Sequence, residues 1–231
     1  MTTASTTPLE RPLAPLWLRI GFWGCIVIAV GVVVRRLLAL AEPSRSTSPQ
    51  LAGLDNVFAN HAALTLAHIL PALVFVILAP IAVFRKTPRF VWVDRLLVPI
   101  GAVVGLTAYA MSVFAIGGWL ERSAVLFFNT LFLVSLFAAA RYQQSCNLLL
   151  SRRWLMRSIV ILLGIATTRP VMGVFFATSR ITHLEPNQFF GMAFWIGFSI
   201  NTIIGEFWLR TRRSALPPGR SILPFPGGPK N

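Results

Sequence analysis

Charge is what this chain has least of, and negative charge least of all. Only 12% of its 231 residues are charged, against about 25% in an ordinary soluble domain. Seven Asp and Glu stand against 21 Lys and Arg, a formal net charge of +14. Cysteines number two and histidines three. Cys25 lies in an apolar run and Cys146 in a basic loop, so neither belongs to a C-x-x-C pair and no disulfide or metal framework is implied. The chain also lacks a Walker loop, an H-E-x-x-H pair, a G-x-S-x-G elbow and any Ser-His-Asp set suggested by spacing. These absences leave no catalytic residue to nominate, and the reading leans away from an enzyme.

What is abundant is apolar surface, at 55% of residues and a mean hydropathy of +0.71. That is too much for a soluble core of this size, and the class left is a polytopic membrane protein. The basic residues sit in short clusters between long apolar runs, which is the pattern of membrane flanks rather than of a nucleic-acid surface. A span needs about 20 mostly apolar residues. Six runs qualify, at about 16–34, 62–84, 95–116, 122–140, 154–177 and 187–209. The expected fold is an all-α bundle of six transmembrane spans in residues 16–209. A short cytoplasmic segment, 1–15, precedes it, and a disordered basic Pro-rich tail, 210–231, follows it. Ala39-Leu40-Ala41 resembles a signal-peptide cleavage site, but Arg35 and Arg36 separate it from the apolar run; a retained first span is expected.

Short-loop charge sets the expected orientation. Fifteen of the 21 Lys and Arg fall on the side of the N-terminus, residues 85–95, residues 141–157 and the tail. Five (Arg35, Arg36, Arg45, Arg122 and Arg180) fall on the other, and Arg169 is inside a span. Both termini are therefore expected in the cytoplasm. The expected partners are the bilayer itself, anionic lipid at the cytoplasmic basic loops, and other membrane subunits. Nucleic acid is not among them, and the expected location is a bacterial plasma membrane.

Ionisable groups inside spans are costly in lipid and mark function. His61 and His68 lie in the second span, Arg169 in the fifth and Glu206 in the sixth. At about 1.5 Å per residue, His68 and Arg169 fall roughly 10 and 13 Å below the outer ends of their helices. Tyr109 and Asn129 fall in the same outer half. The expected candidate site is an outer-half polar pocket of His68, Arg169, Tyr109 and Asn129, with an anionic headgroup, a quinone carbonyl or a haem propionate meeting the needs of Arg169. Arg157 and Glu206 lie at similar depth near the inner ends of consecutive helices, and a structural ion pair is expected. His61 and His68, seven apart, share a helix face. With His183 they form the candidate ligand set for a b-type haem, and haem b or quinone is the alternative reading, ahead of a small-solute or proton-coupled transporter. Gly101 and Gly105 make a small-x-x-x-small pair, read as packing. Pro71, Pro80, Pro99 and Pro170 are expected to kink or begin helices.

Several of these residues also form a recurring pattern. His68 is followed by Ala79-Pro80, then by Trp92-Val93-Asp94-Arg95. Arg152-Arg153-Trp154-Leu155-Met156-Arg157-Ser158 precedes Arg169, and Asn201 stands five residues before Glu206. Over about residues 60–210 the chain resembles a large bacterial family of polytopic membrane proteins classed as a domain of unknown function. The resemblance implies the six-span fold. It also implies two histidines at cytoplasmic span ends, placed as for a haem or metal, where this chain has Phe90 and Ser151. A member without them retains His68, Arg169, Asn201 and Glu206.

Overall fold

The structure is a computed structural model and describes residues 15–41, 58–84, 91–183 and 185–214. The main helices among them are α1 (Leu16–Ala41), α2 (Ala62–Phe84), α3 (Val91–Ser112), α4 (Gly118–Gln144), α5 (Leu148–Leu162), α6 (Gly164–Thr182) and α7 (Pro186–Ser214). No strand is present among the described residues. α5 and α6 run on as one membrane-length segment, Leu148–Ser179, so the helices make six candidate spans. Helix is the form such apolar segments must take, because lipid offers backbone N–H and C=O groups no partner. Large side chains such as Leu106, Phe137, Val174 and Phe207 are each more than 60% exposed. An apolar surface this extensive belongs against lipid tails.

Helices α2 to α7 form the bundle, and α1 leans on α2 and α6 with Ile26 and Ala29 buried. We call upper the end where α1 finishes, α2 begins, α3 meets α4 and α6 meets α7; the opposite end is lower. Lipid gives little hydrophobic drive for helix association, so close packing depends on small residues. Gly101 and Gly105 of α3 let Phe75, Phe132, Leu133 and Leu136 approach, and a Cβ on Gly105 would stand 2.5 Å from Leu133. On α7, Gly197 meets the backbone of Thr168 and Gly205 meets Val160.

Several boundaries move. α1 continues to Ala41 rather than ending near Val34, since arginine is a good helix former and Arg36 lays its guanidinium over the Phe58 ring at 3.9 Å. α3 lies about four residues earlier than expected because Val93 and Asp94 are buried and belong to the helix. α4 begins at Gly118 and takes Glu121 into the membrane segment. α7 extends through Arg210 to Ser214, so the tail begins later than 210. Most of the expected N-terminal segment and residues 215–231 lie outside the described residues. Pro71, Pro80, Pro99 and Pro170 sit inside helices, and among the described residues the one interruption within a span comes elsewhere, at Leu163, just before Gly164. A Cβ at position 164 would stand 2.5 Å from the Phe198 ring.

Candidate functional site

The helix interruption is held by a polar chain. Thr167 Oγ1 donates to Asn201 Oδ1 at 2.8 Å, and Asn201 Nδ2 donates to the Val160 carbonyl at 3.3 Å. The one hydroxyl proton of Thr167 is thereby used, so the Cys25 thiol, 3.7 Å away, is the donor to Thr167 Oγ1. This ties α1 to α6 near the middle of the bundle. Cavities lie on both sides of the tie, one toward each end, and α1 walls both.

The upper cavity, of about 270 Å³, is where the candidate residues gather. His61, His68, Asn129 and Arg169 line it, together with Arg36 and Glu121, on a largely apolar wall that includes Phe128, Phe132, Phe194 and Phe198. Arg169 stands ten residues before Ser179, about 15 Å along the helix, and so near the middle of a hydrocarbon core about 30 Å thick. Its Nε is buried with no hydrogen-bond partner, and its Nη1 reaches only the Met172 sulfur at 3.8 Å. Among the described residues no carboxylate lies within ion-pairing distance of Arg169. Pro170 follows it in α6, so the Ala166 carbonyl on the cavity wall lacks its usual helical donor.

The other polar groups of the cavity are anchored. His68 Nδ1 lies 3.0 Å from Thr107 Oγ1. Thr107 gives its proton to backbone carbonyls of Val103 and Val104 at 2.7 and 3.0 Å, so Nδ1–H of His68 donates to it. A neutral His68 then carries its lone pair on Nε2. Asn129 Nδ2 donates to the Gly105 carbonyl at 2.9 Å. Glu121 Oε2 accepts the backbone N–H of Gly117 at 2.6 Å, which fixes that carboxylate at the start of α4. The His61 ring lies against Phe114, ring centres 3.7 Å apart and planes tilted by 33°.

Tyr109 does not belong to this site. Its hydroxyl donates to Thr130 at 2.7 Å between α3 and α4, and it does not line the cavity. A one-residue error in helix phase turns a side chain by about 100°, and sequence depth alone leaves phase open. His183 is exposed at the end of α6 and does not line the cavity either. Among the described residues, no three His, Cys, Asp or Glu come together as metal ligands. Sequence reasoning missed Glu121 because it placed the start of the fourth span at Arg122. It missed Arg36 by ending the first span too early.

At the lower end, Arg157 and Glu206 meet. Arg157 Nε and Nη2 donate to the two carboxylate oxygens at 2.8 and 3.1 Å, and Arg210 Nε adds a third bond at 3.0 Å. The Arg157 guanidinium lies 4.5 Å from the Trp154 ring centre. Ser151 Oγ donates to the Ala139 carbonyl at 2.9 Å, and Arg152 Nη2 to the Val83 carbonyl at 3.1 Å. The Arg152–Ser158 stretch therefore ties α5 to α2, α4 and α7. Phe90 lies outside the described residues. Comparison with protein-family models, curated proteins and solved structures finds no match to this chain.

Proposed function

We propose that this integral membrane protein is a non-enzymatic binding protein, an accessory subunit of a larger membrane assembly. Its upper cavity takes a lipid-soluble ligand with one anionic or acceptor head. The observation that carries this reading is Arg169, a half-buried cation whose buried Nε has no partner and whose side chain lines a cavity large enough for several waters or a small ligand head. A guanidinium cannot shed its charge, so an uncompensated arginine at this depth is costly unless a ligand completes it. Arg169 is a permanent cation on that lining and makes no ion pair among the described residues, which suits a single anionic group. The apolar wall suits the body behind it. The Lys and Arg bias supports an orientation with this cavity facing away from the cytoplasm of a bacterial cell. Membership of the bacterial family that the chain resembles belongs to the same proposal.

The test is to purify the protein in mild detergent, extract it with organic solvent and identify the small molecules released. Wild type and Tyr109→Phe are expected to carry the same species in stoichiometric amount, and Arg169→Met is expected to lose it. Equal amounts in all three, or no retained species in wild type, would overturn the reading.

A redox ligand is the second reading, favoured by the His68–Thr107 bond. Metal-ligating histidines commonly hold their second N–H in this way and present the other nitrogen. A haem would give a Soret band and a sharpened α-band on dithionite reduction, both lost in His68→Ala. A quinone would appear in the solvent extract.

A further inference from the structure

The lower cavity is a separate space, and we infer that it is a binding site for one anionic phospholipid. One acyl chain lies between α1 and α5–α7, and the phosphate rests on Arg19. The cavity measures about 300 Å³ and its wall is almost wholly apolar. On the α1 side it runs from Trp17 to Cys25, eight residues or about 12 Å of helix. That is close to the depth of one leaflet's hydrocarbon, half of about 30 Å, so the space fits a chain entering from the lower face and stopping at the membrane middle. Its floor is the Cys25–Thr167–Asn201 chain, whose groups already satisfy one another, so nothing there asks for a polar ligand.

The mouth is different. Arg19 lines it, is exposed, and has no ion pair among the described residues. The nearest acidic residue on the wall-forming helix, Glu206, does not line the cavity and is taken up by Arg157 and Arg210. A lone cation above an apolar slot is complementary to a phosphate above an acyl chain. A zwitterionic head brings its own positive charge and loses that advantage. Trp17 and Trp208 flank the mouth, where indoles sit at headgroup level. Trp23 stacked on Phe84 and Phe22 set edge-on to it close the α2 side.

Native mass spectrometry of delipidated protein titrated with phosphatidylglycerol or phosphatidylcholine tests this. One phosphatidylglycerol is expected to be retained per chain, in preference to phosphatidylcholine. Arg19→Gln is expected to reduce that preference about fivefold, the worth of one basic residue near an anionic surface. Gly21 lines the cavity and has no atom within 4 Å of an added Cβ, so Gly21→Leu puts a side chain into the slot from a Cβ that meets no clash. It is expected to abolish retention of either lipid. Gly24→Leu, equally open but off the cavity wall, is expected to retain the lipid and serves as the folding control. Unchanged retention in Gly21→Leu, or no preference between the two lipids in wild type, would overturn the proposal. None of these variants touches Arg169, so the upper-cavity reading stands or falls apart from this one.

Discussion

Replacing Arg169 by Met separates a ligand site from a structural arginine, because the two readings predict opposite signs. Met has a helix propensity close to that of Arg and an unbranched side chain, so α6 itself is little disturbed. In the ligand-free protein Arg169 keeps a buried, unpartnered Nε, a defect worth about 1–3 kcal/mol. A charge at mid-bilayer depth costs about 2.5–3.5 kcal/mol on insertion scales, and Glu121 on the same lining offsets part of it. The delipidated Arg169→Met variant is therefore expected to be more stable than wild type by about 1–3 kcal/mol. Denaturant unfolding in mixed micelles measures the difference. Adding back the ligand extract should stabilise wild type by mass action and leave the variant unmoved. A functional cation held at a cost in stability behaves this way. If Arg169→Met instead destabilises the ligand-free protein by 1 kcal/mol or more, the arginine is a structural anchor and the binding reading is refuted.

Two further outcomes test the frame around the site. Glu206→Gln leaves Arg157 without its carboxylate at side-chain exposures of 22% and 31%. That lies between an exposed pair and a buried one, so a loss of about 1–2 kcal/mol is expected in the same unfolding assay. Arg157→Met combined with Glu206→Leu should recover most of that loss, and a double variant no better than the single one would contradict the ion-pair account. Gly197→Val places a side chain where a Cβ alone would stand 2.7 Å from the Thr168 backbone. Because backbone cannot swing aside like a side chain, the cost should exceed the 1–3 kcal/mol usual for overpacking. The variant should fail to accumulate as folded protein in the membrane, whereas wild-type accumulation would show that α6 and α7 are not in close contact there.

Much of this protein is legible in the order of its residues. Six apolar runs of the right length, separated by basic clusters, dictate six membrane helices, because lipid forbids an unpaired backbone. The pairing of Arg157 with Glu206 follows from equal depth on neighbouring antiparallel helices, and depth is additive along a helix at about 1.5 Å per residue. The costly polar residues His68, Asn129 and Arg169 are likewise visible as exceptions in apolar runs.

Helix phase, helix ends and helix breaks are what tertiary packing decided. Tyr109 has the depth of Asn129 but points toward Thr130, since rotation about the helix axis is set by the neighbours that bury each face. Glu121 and Arg36 joined the cavity only because α4 starts earlier and α1 ends later than hydropathy implies. Packing overrides local polarity at helix ends. The interruption at Leu163 carries no proline, and it rests on contacts made from α7 by Phe198 against Gly164 and by Asn201 against Thr167 and the Val160 carbonyl. Those contacts join residues more than 30 positions apart. A linear pattern states which residues must avoid water, but the cavities beside α1 exist only where those distant surfaces fail to meet.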